Sequence, residues 1–152
     1  MAFPYEEFIE YLRMSVMDDP ETNELLLDYE FPEKNIKFAL LRTINRINMT
    51  PPIFTTSYKL DDFAYGENYI TLIPGVLGYI YQGKAAQEKR NEIQYSDEGQ
   101  SVNEDHRFQD YMNFANIQFN EFDTKITNAK SLVNESIGFG EVDNAILFIS
   151  FL

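Results

Sequence analysis

The chain has 152 residues, a single histidine, no cysteine and a formal net charge of −13. Its 44% hydrophobic and 15% aromatic content is enough for one buried core and excludes a disordered polymer. The lack of thiols excludes disulfides, thiolate metal sites and cysteine nucleophiles. The acidic balance argues against binding the outside of DNA or an anionic membrane, because phosphates are held by Lys and Arg.

Met1 to Asp18 carries acids rather than a basic segment and an apolar run, so it does not read as a signal peptide. No apolar run approaches the roughly 20 residues that span a bilayer, and no membrane partner is expected. Pro4 suits the first turn of a helix, where its missing N–H costs nothing, and Glu6 and Glu7 suit the positive end of the helix dipole. Tyr5, Phe8, Ile9, Leu12 and Val16 repeat at helical spacing, predicting a first helix over Tyr5–Met17 that stops at Asp18-Asp19-Pro20. Asp18-Asp19 and Asp61-Asp62 read as cap or turn residues.

After the apolar patch Leu25-Leu26-Leu27, Phe31-Pro32-Glu33 opens a second helix, predicted over Pro32–Asn48. Ile36, Leu40, Ile44 and Ile47 form its buried stripe, and the run ends before Pro51-Pro52 because a residue preceding proline avoids the α conformation. Lys34, Lys37, Arg42 and Arg46 decorate it, either as an ordinary exposed face paired with local acids or as a basic docking strip. Arg42 and Arg46 are the candidate partner-binding residues of that strip. The stretch Ile53 to Phe63 reads as extended or looped.

A third helix is predicted over Tyr69–Ile93 and contains Pro74, Gly75, Gly78 and Gly83. Each interior glycine costs about 1 kcal/mol relative to alanine, so several together imply close approach of a neighbouring helix or a kink at Pro74. Ser101-Val102-Asn103-Glu104 has the spacing of a capping box and opens the clearest element, a helix predicted over Val102–Val133. Phe108, Tyr111, Ala115, Phe119, Phe122, Ile126, Ala129 and Val133 make its seam, and Phe108, Phe119, Phe122 and Ile126 are expected to be largely buried. A helix of that length runs to about 48 Å and can project from the body.

Gly138-Phe139-Gly140 breaks the helical pattern, and Ala145–Leu152 follows with seven apolar residues in eight. This reads as a strand buried on both faces, with Ile146, Phe148, Ile149 and Phe151 filling pockets. It pairs either with a neighbouring chain or with a short hairpin of its own domain. The expected fold is mainly α: a helical bundle with one long helix and minor β structure including this C-terminal strand. The expected division is a helical domain, 1–137, and an apolar arm, 138–152.

Candidates for chemistry are weak. His106 sits beside Glu104 and Asp105 early in a helix and reads as a solvated residue rather than part of a triad. Gly75-Val76-Leu77-Gly78 lacks the lysine and spacing of a phosphate loop. Asp97, Glu98, Asn103, Glu104 and Asp105 do not match calcium-loop spacing and read as a solvated loop and helix start. No catalytic residue, metal site or cofactor is assigned, and an enzyme is not expected.

The order of elements resembles the helical head–tail connector, or neck adaptor, proteins of tailed bacteriophages, over about Tyr5 to Lys130. The likeness rests on Glu30-Phe31-Pro32-Glu33, Asn48-Met49-Thr50-Pro51-Pro52, the glycine-spaced apolar helix, and Tyr95-Ser96-Asp97-Glu98-Gly99-Gln100-Ser101-Val102 leading to a long helix with Tyr111. It implies a structural virion protein, made in the host bacterial cytoplasm, that forms a homo-oligomeric, commonly dodecameric ring. Such a ring docks on the portal protein and other neck or tail proteins, and genomic DNA passes through without sequence-specific binding. Acidic subunits suit a channel that repels phosphates. Another tail or baseplate protein, or an acidic cytoplasmic interaction module, stays open as an alternative.

Overall fold

The computed structural model describes residues 2–21, 28–53, 57–66, 68–95 and 105–138. Four α-helices follow one another: α1 (Tyr5–Val16), α2 (Glu33–Met49), α3 (Ile73–Tyr95) and α4 (Asp105–Gly138). Two short 3₁₀ turns, Leu60–Phe63 and Asn68–Leu72, lie between α2 and α3. The chain is mainly α, and the described residues contain no strand. The predicted C-terminal strand, the capping box, Leu25–Leu27 and Asp97–Asn103 lie outside the described residues.

Prolines set the two helix entries as expected. The Pro4 carbonyl accepts from the Phe8 amide, and the Pro32 carbonyl accepts from Asn35 and Ile36. α1 closes through Met17 in the left-handed region (φ 54°), which lets the Asp18 amide reach back to the Arg13 carbonyl. The buried Asp18 carboxylate then accepts the amides of Glu30 (2.6 Å) and Phe31 (3.1 Å), tying the end of α1 to the start of α2. Asp62 accepts the Lys59 amide and serves its turn as expected, whereas Asp61 accepts the Phe3 amide 58 residues away.

The third helix departs from expectation. Residues 68–72 form a 3₁₀ turn, and the α-helix begins at Ile73. Pro74 therefore sits in the first helical turn, where proline is tolerated, and produces no mid-helix kink. The other reading holds for Gly75 and Gly78 and fails for Gly83, which has open space where a Cβ would stand. An added Cβ at Gly75 would stand 2.6 Å from Thr43 Cγ2 of α2, and one at Gly78 would stand 2.5 Å from Phe119 Cε1 of α4. Gly75 and Gly78 are where α2, α3 and α4 converge.

α3 runs antiparallel to α4. Gly75 faces Phe122, Tyr79 meets Phe119 edge-on at 4.8 Å, and Tyr81 stacks on Tyr111 at 6.3 Å. α4 has 34 residues, so it is about 51 Å long and exceeds the 23-residue α3. The core takes Phe8, Ile9 and Leu12 from α1, Ile36, Leu40, Ile44 and Ile47 from α2, Val76, Leu77 and Ile80 from α3, and Phe122, Ile126, Ala129 and Val133 from α4. Phe3, Phe8 and Tyr69 cap one end with tilted or edge-on ring contacts. Phe119, Phe122 and Ile126 are buried as expected. Phe108 is only half-buried, against the expectation, with Lys89 over its ring. Tyr5, placed in the stripe of α1, is partly exposed instead and carries Lys37 over its ring.

Candidate functional site

The four basic residues of α2 do not form one free strip. Lys37 pairs with Glu33 one turn earlier, and the contact raises the lysine pKa and lowers the carboxyl pKa. Arg46 reaches across to α4 and donates Nε and Nη2 to the two Asp123 oxygens at 2.7 and 2.6 Å. Its guanidinium also lies 4.2 Å from the centre of the Phe119 ring, and the Asp123 hydrogen bonds hold its pKa above the ordinary value. Arg46 thus acts within the chain as a clamp between α2 and α4. A planar two-pronged donor on α2 meets a carboxylate at the matching height of α4, and the partially screened setting leaves a directional bond.

Arg42 stands one turn earlier, exposed, with its guanidinium 4.2 Å above the Tyr79 ring. It remains a surface candidate. Ile146, Phe148, Ile149 and Phe151 lie outside the described residues. His106 falls in the first turn of α4. Among the described residues, no group of three or more His, Asp or Glu side chains is placed to hold a metal ion, and no helix is long and apolar enough to cross a membrane.

The outer face of α2 carries the feature that a single buried stripe did not anticipate. Phe38, Leu41 and Met49 are 63%, 56% and 72% exposed. Their 3- and 8-residue separations put them on one side of the helix, opposite Ile36, Leu40 and Ile47. The signal was legible: α2 holds more apolar residues than one core-facing stripe can use.

Two grooves flank this crest. One, of about 890 Å³, runs between α1 and the start of α2; Glu6, Glu10, Met14, Met17, Tyr29 and Glu33 are among its walls. Arg13 crosses it with its guanidinium 3.5 Å from the Tyr29 ring centre. The other, of about 320 Å³, lies between α2 and α3 and includes Phe31, Phe38, Arg42, Tyr79, Lys84 and Arg90. There Lys84 pairs with Glu30 at 3.2 Å and lies over the Phe31 ring. Burial, with Glu30 adding to it, pushes up the phenol pKa values of the neighbouring Tyr81 and Tyr111. The first groove is acidic and lined by methionine and tyrosine; the second is basic and aromatic.

A buried charge was also missed. Lys130 is 1% exposed, donates to the Thr50 carbonyl, and lies 5.9 Å from the centre of the Tyr58 ring. Its place four residues after Ile126, on the seam side of α4, was the available clue. Both arginine clamp and lysine anchor lock α2 to α4, so they hold the exposed crest of α2 in a fixed orientation. No family model matches the chain, and no curated protein or solved structure matches it either.

Proposed function

We propose that the chain is a structural subunit of the tailed-phage virion, a head–tail connector that assembles as a ring on the portal and contributes to the DNA channel. The observation that carries this reading is the crest of Phe38, Leu41 and Met49, three exposed apolar side chains on the outer face of α2. Exposed apolar side chains grouped on one helix face mark contacts with other chains. The crest lies on the α2 segment that carries part of the resemblance, and the charge of −13 suits subunits surrounding sliding DNA.

The apolar segment Ala145–Leu152 acts in this reading as an assembly arm. It adds a strand to a neighbouring subunit or a partner protein, and supplies the minor β structure of the assembled state. The portal, the dodecameric copy number and the channel belong to the same proposal. Mass spectrometry of purified particles from the virus that encodes the chain tests it. The protein should be recovered at a ring-like copy number relative to the portal. Its absence from particles would overturn the virion reading and favour an acidic interaction protein.

A further inference from the structure

The two grooves beside α2 are opposite in charge and alike in apolar content. On α1, Glu6, Glu10 and Met14 point away from the buried Phe8 and Leu12, and all three are exposed. Glu10 makes no ion pair among the described residues. In the groove between α2 and α3, Arg42 and Arg90 are exposed, and neither has a carboxylate within ion-pair distance among the described residues. Glu30, the acid of that groove, is already engaged by Lys84. Phe38 lines the same groove as an uncovered apolar surface.

We propose that the outer side of α1 in one copy docks into the basic, aromatic groove between α2 and α3 of the next copy. Glu6 and Glu10 face Arg42 and Arg90, and Met14 packs on Phe38. The unbranched thioether of methionine adapts to an aromatic face, which makes it a suitable filler for this contact. The dimensions agree: α1 is about 18 Å long, and the groove wall from Tyr79 to Arg90 spans about 16 Å of helix.

Placement makes the contact head-to-tail. Glu33 and Lys37 of α2 border α1, while Phe38, Ala39 and Arg42 border α3. These sets fall on opposite flanks of α2, because residues 33 and 37 share one side and 35, 39 and 42 the other. A copy that offers α1 on one flank therefore accepts α1 on the other. Such a contact joins two different patches, so it closes into a ring or continues as a filament rather than stopping at a two-fold dimer. The surface rests on the reading of the chain as a ring-forming subunit, and names the part of the chain that would make the ring.

The experiment uses the purified full chain, with mass measured by multi-angle scattering over a range of concentration and salt. Wild type should self-associate, and more weakly as salt rises, since exposed charge pairs are screened. Arg42→Glu with Arg90→Glu, and separately Glu6→Lys with Glu10→Lys, should each stay folded by circular dichroism and lose at least tenfold in association. Mixing the two variants, or combining all four substitutions in one chain, should restore it, because every contact then again joins opposite charges. A wild type that stays monomeric, double variants that associate like wild type, or a fourfold variant that does not recover would each overturn the proposal. A chain that self-associates as expected but is missing from purified particles leaves this surface standing and overturns only the virion reading.

Discussion

The Lys130 side chain of α4 donates to the main-chain carbonyl of Thr50, the residue that ends α2. It joins positions 80 residues apart in sequence inside the apolar body. A charge in that position works against its own desolvation, and burial lowers the lysine pKa from 10.5. Removal of the side chain leaves both a cavity and an unpaired carbonyl. Lys130→Ala should therefore destabilise the protein by about 2–4 kcal/mol. Denaturant unfolding measures it, and a loss below the error of the method would mean the anchor is dispensable.

The same residue sets a pH dependence. With a folded pKa below that of the unfolded chain, Lys130 binds its proton less readily when folded. Its contribution is therefore unfavourable at low pH and improves as pH rises through the folded pKa towards 10.5. Tyr58 acts oppositely. Burial, with Asp62 adding to it, pushes its phenol up to about 12 from 10.0, so folding favours the neutral phenol and stability is lost as pH rises from 10.0 towards 12. Melting curves between neutral pH and pH 11 should show Lys130→Met flattening the rise below pH 10.5. Tyr58→Phe should reduce the loss above pH 10, to which the raised phenols of Tyr81 and Tyr111 also contribute. Parallel curves for all three proteins would contradict this assignment.

Arg46 and Asp123 form a two-pronged pair between α2 and α4, with side chains 30% and 39% exposed. Water screens a pair at that exposure, so the coupling is expected near 1 kcal/mol rather than the larger value of a buried pair. A double-mutant cycle of Arg46→Ala and Asp123→Ala reads it. Arg46→Lys should recover little of it, because an ammonium cannot make both bonds or lie flat on Phe119. Full rescue by lysine would reduce the pair to simple charge attraction.

Three glycines in one helix should respond with opposite signs. Gly75→Ala and Gly78→Ala place a methyl against Thr43 and Phe119, and should cost about 1–3 kcal/mol. Gly83 has open space where the methyl would go, so Gly83→Ala should stabilise by about 0.5–1 kcal/mol through helix propensity alone. Thermal melting ranks the three, and a destabilised Gly83 variant would show that the packing around α3 is wrong.

Phe122 is buried on the seam where α4 meets Gly75, and Phe122→Ala should cost about 3–5 kcal/mol. Phe108→Ala, at a half-buried site, should cost clearly less. Equal losses at the two positions would place Phe108 in the core after all.

A chain ending at Gly140 separates the two readings of the apolar arm. It should keep its helical circular dichroism and melting temperature, yet fail to enter the particle. Normal incorporation removes the arm from assembly; outright unfolding returns the segment to the subunit's own core.

What the sequence by itself determined was local. Proline at a helix entry and apolar residues every three or four positions located four helices to within a few residues, because each signal is written within one or two turns. The same reasoning placed Phe119, Phe122 and Ile126 inside, and glycines 75 and 78 at a close approach. It misplaced Pro74, since whether a proline kinks a helix depends on where that helix begins, and the preceding residues chose a 3₁₀ turn instead. Arg46 read as a surface cation because its carboxylate lies 77 residues away. Lys130 went unread for the same reason, its carbonyl acceptor being supplied by the end of another helix. Periodicity tells which side of a helix turns inward; only the packing of distant helices decides which atom stands opposite, and so whether a charge is clamped, buried or left to meet another chain.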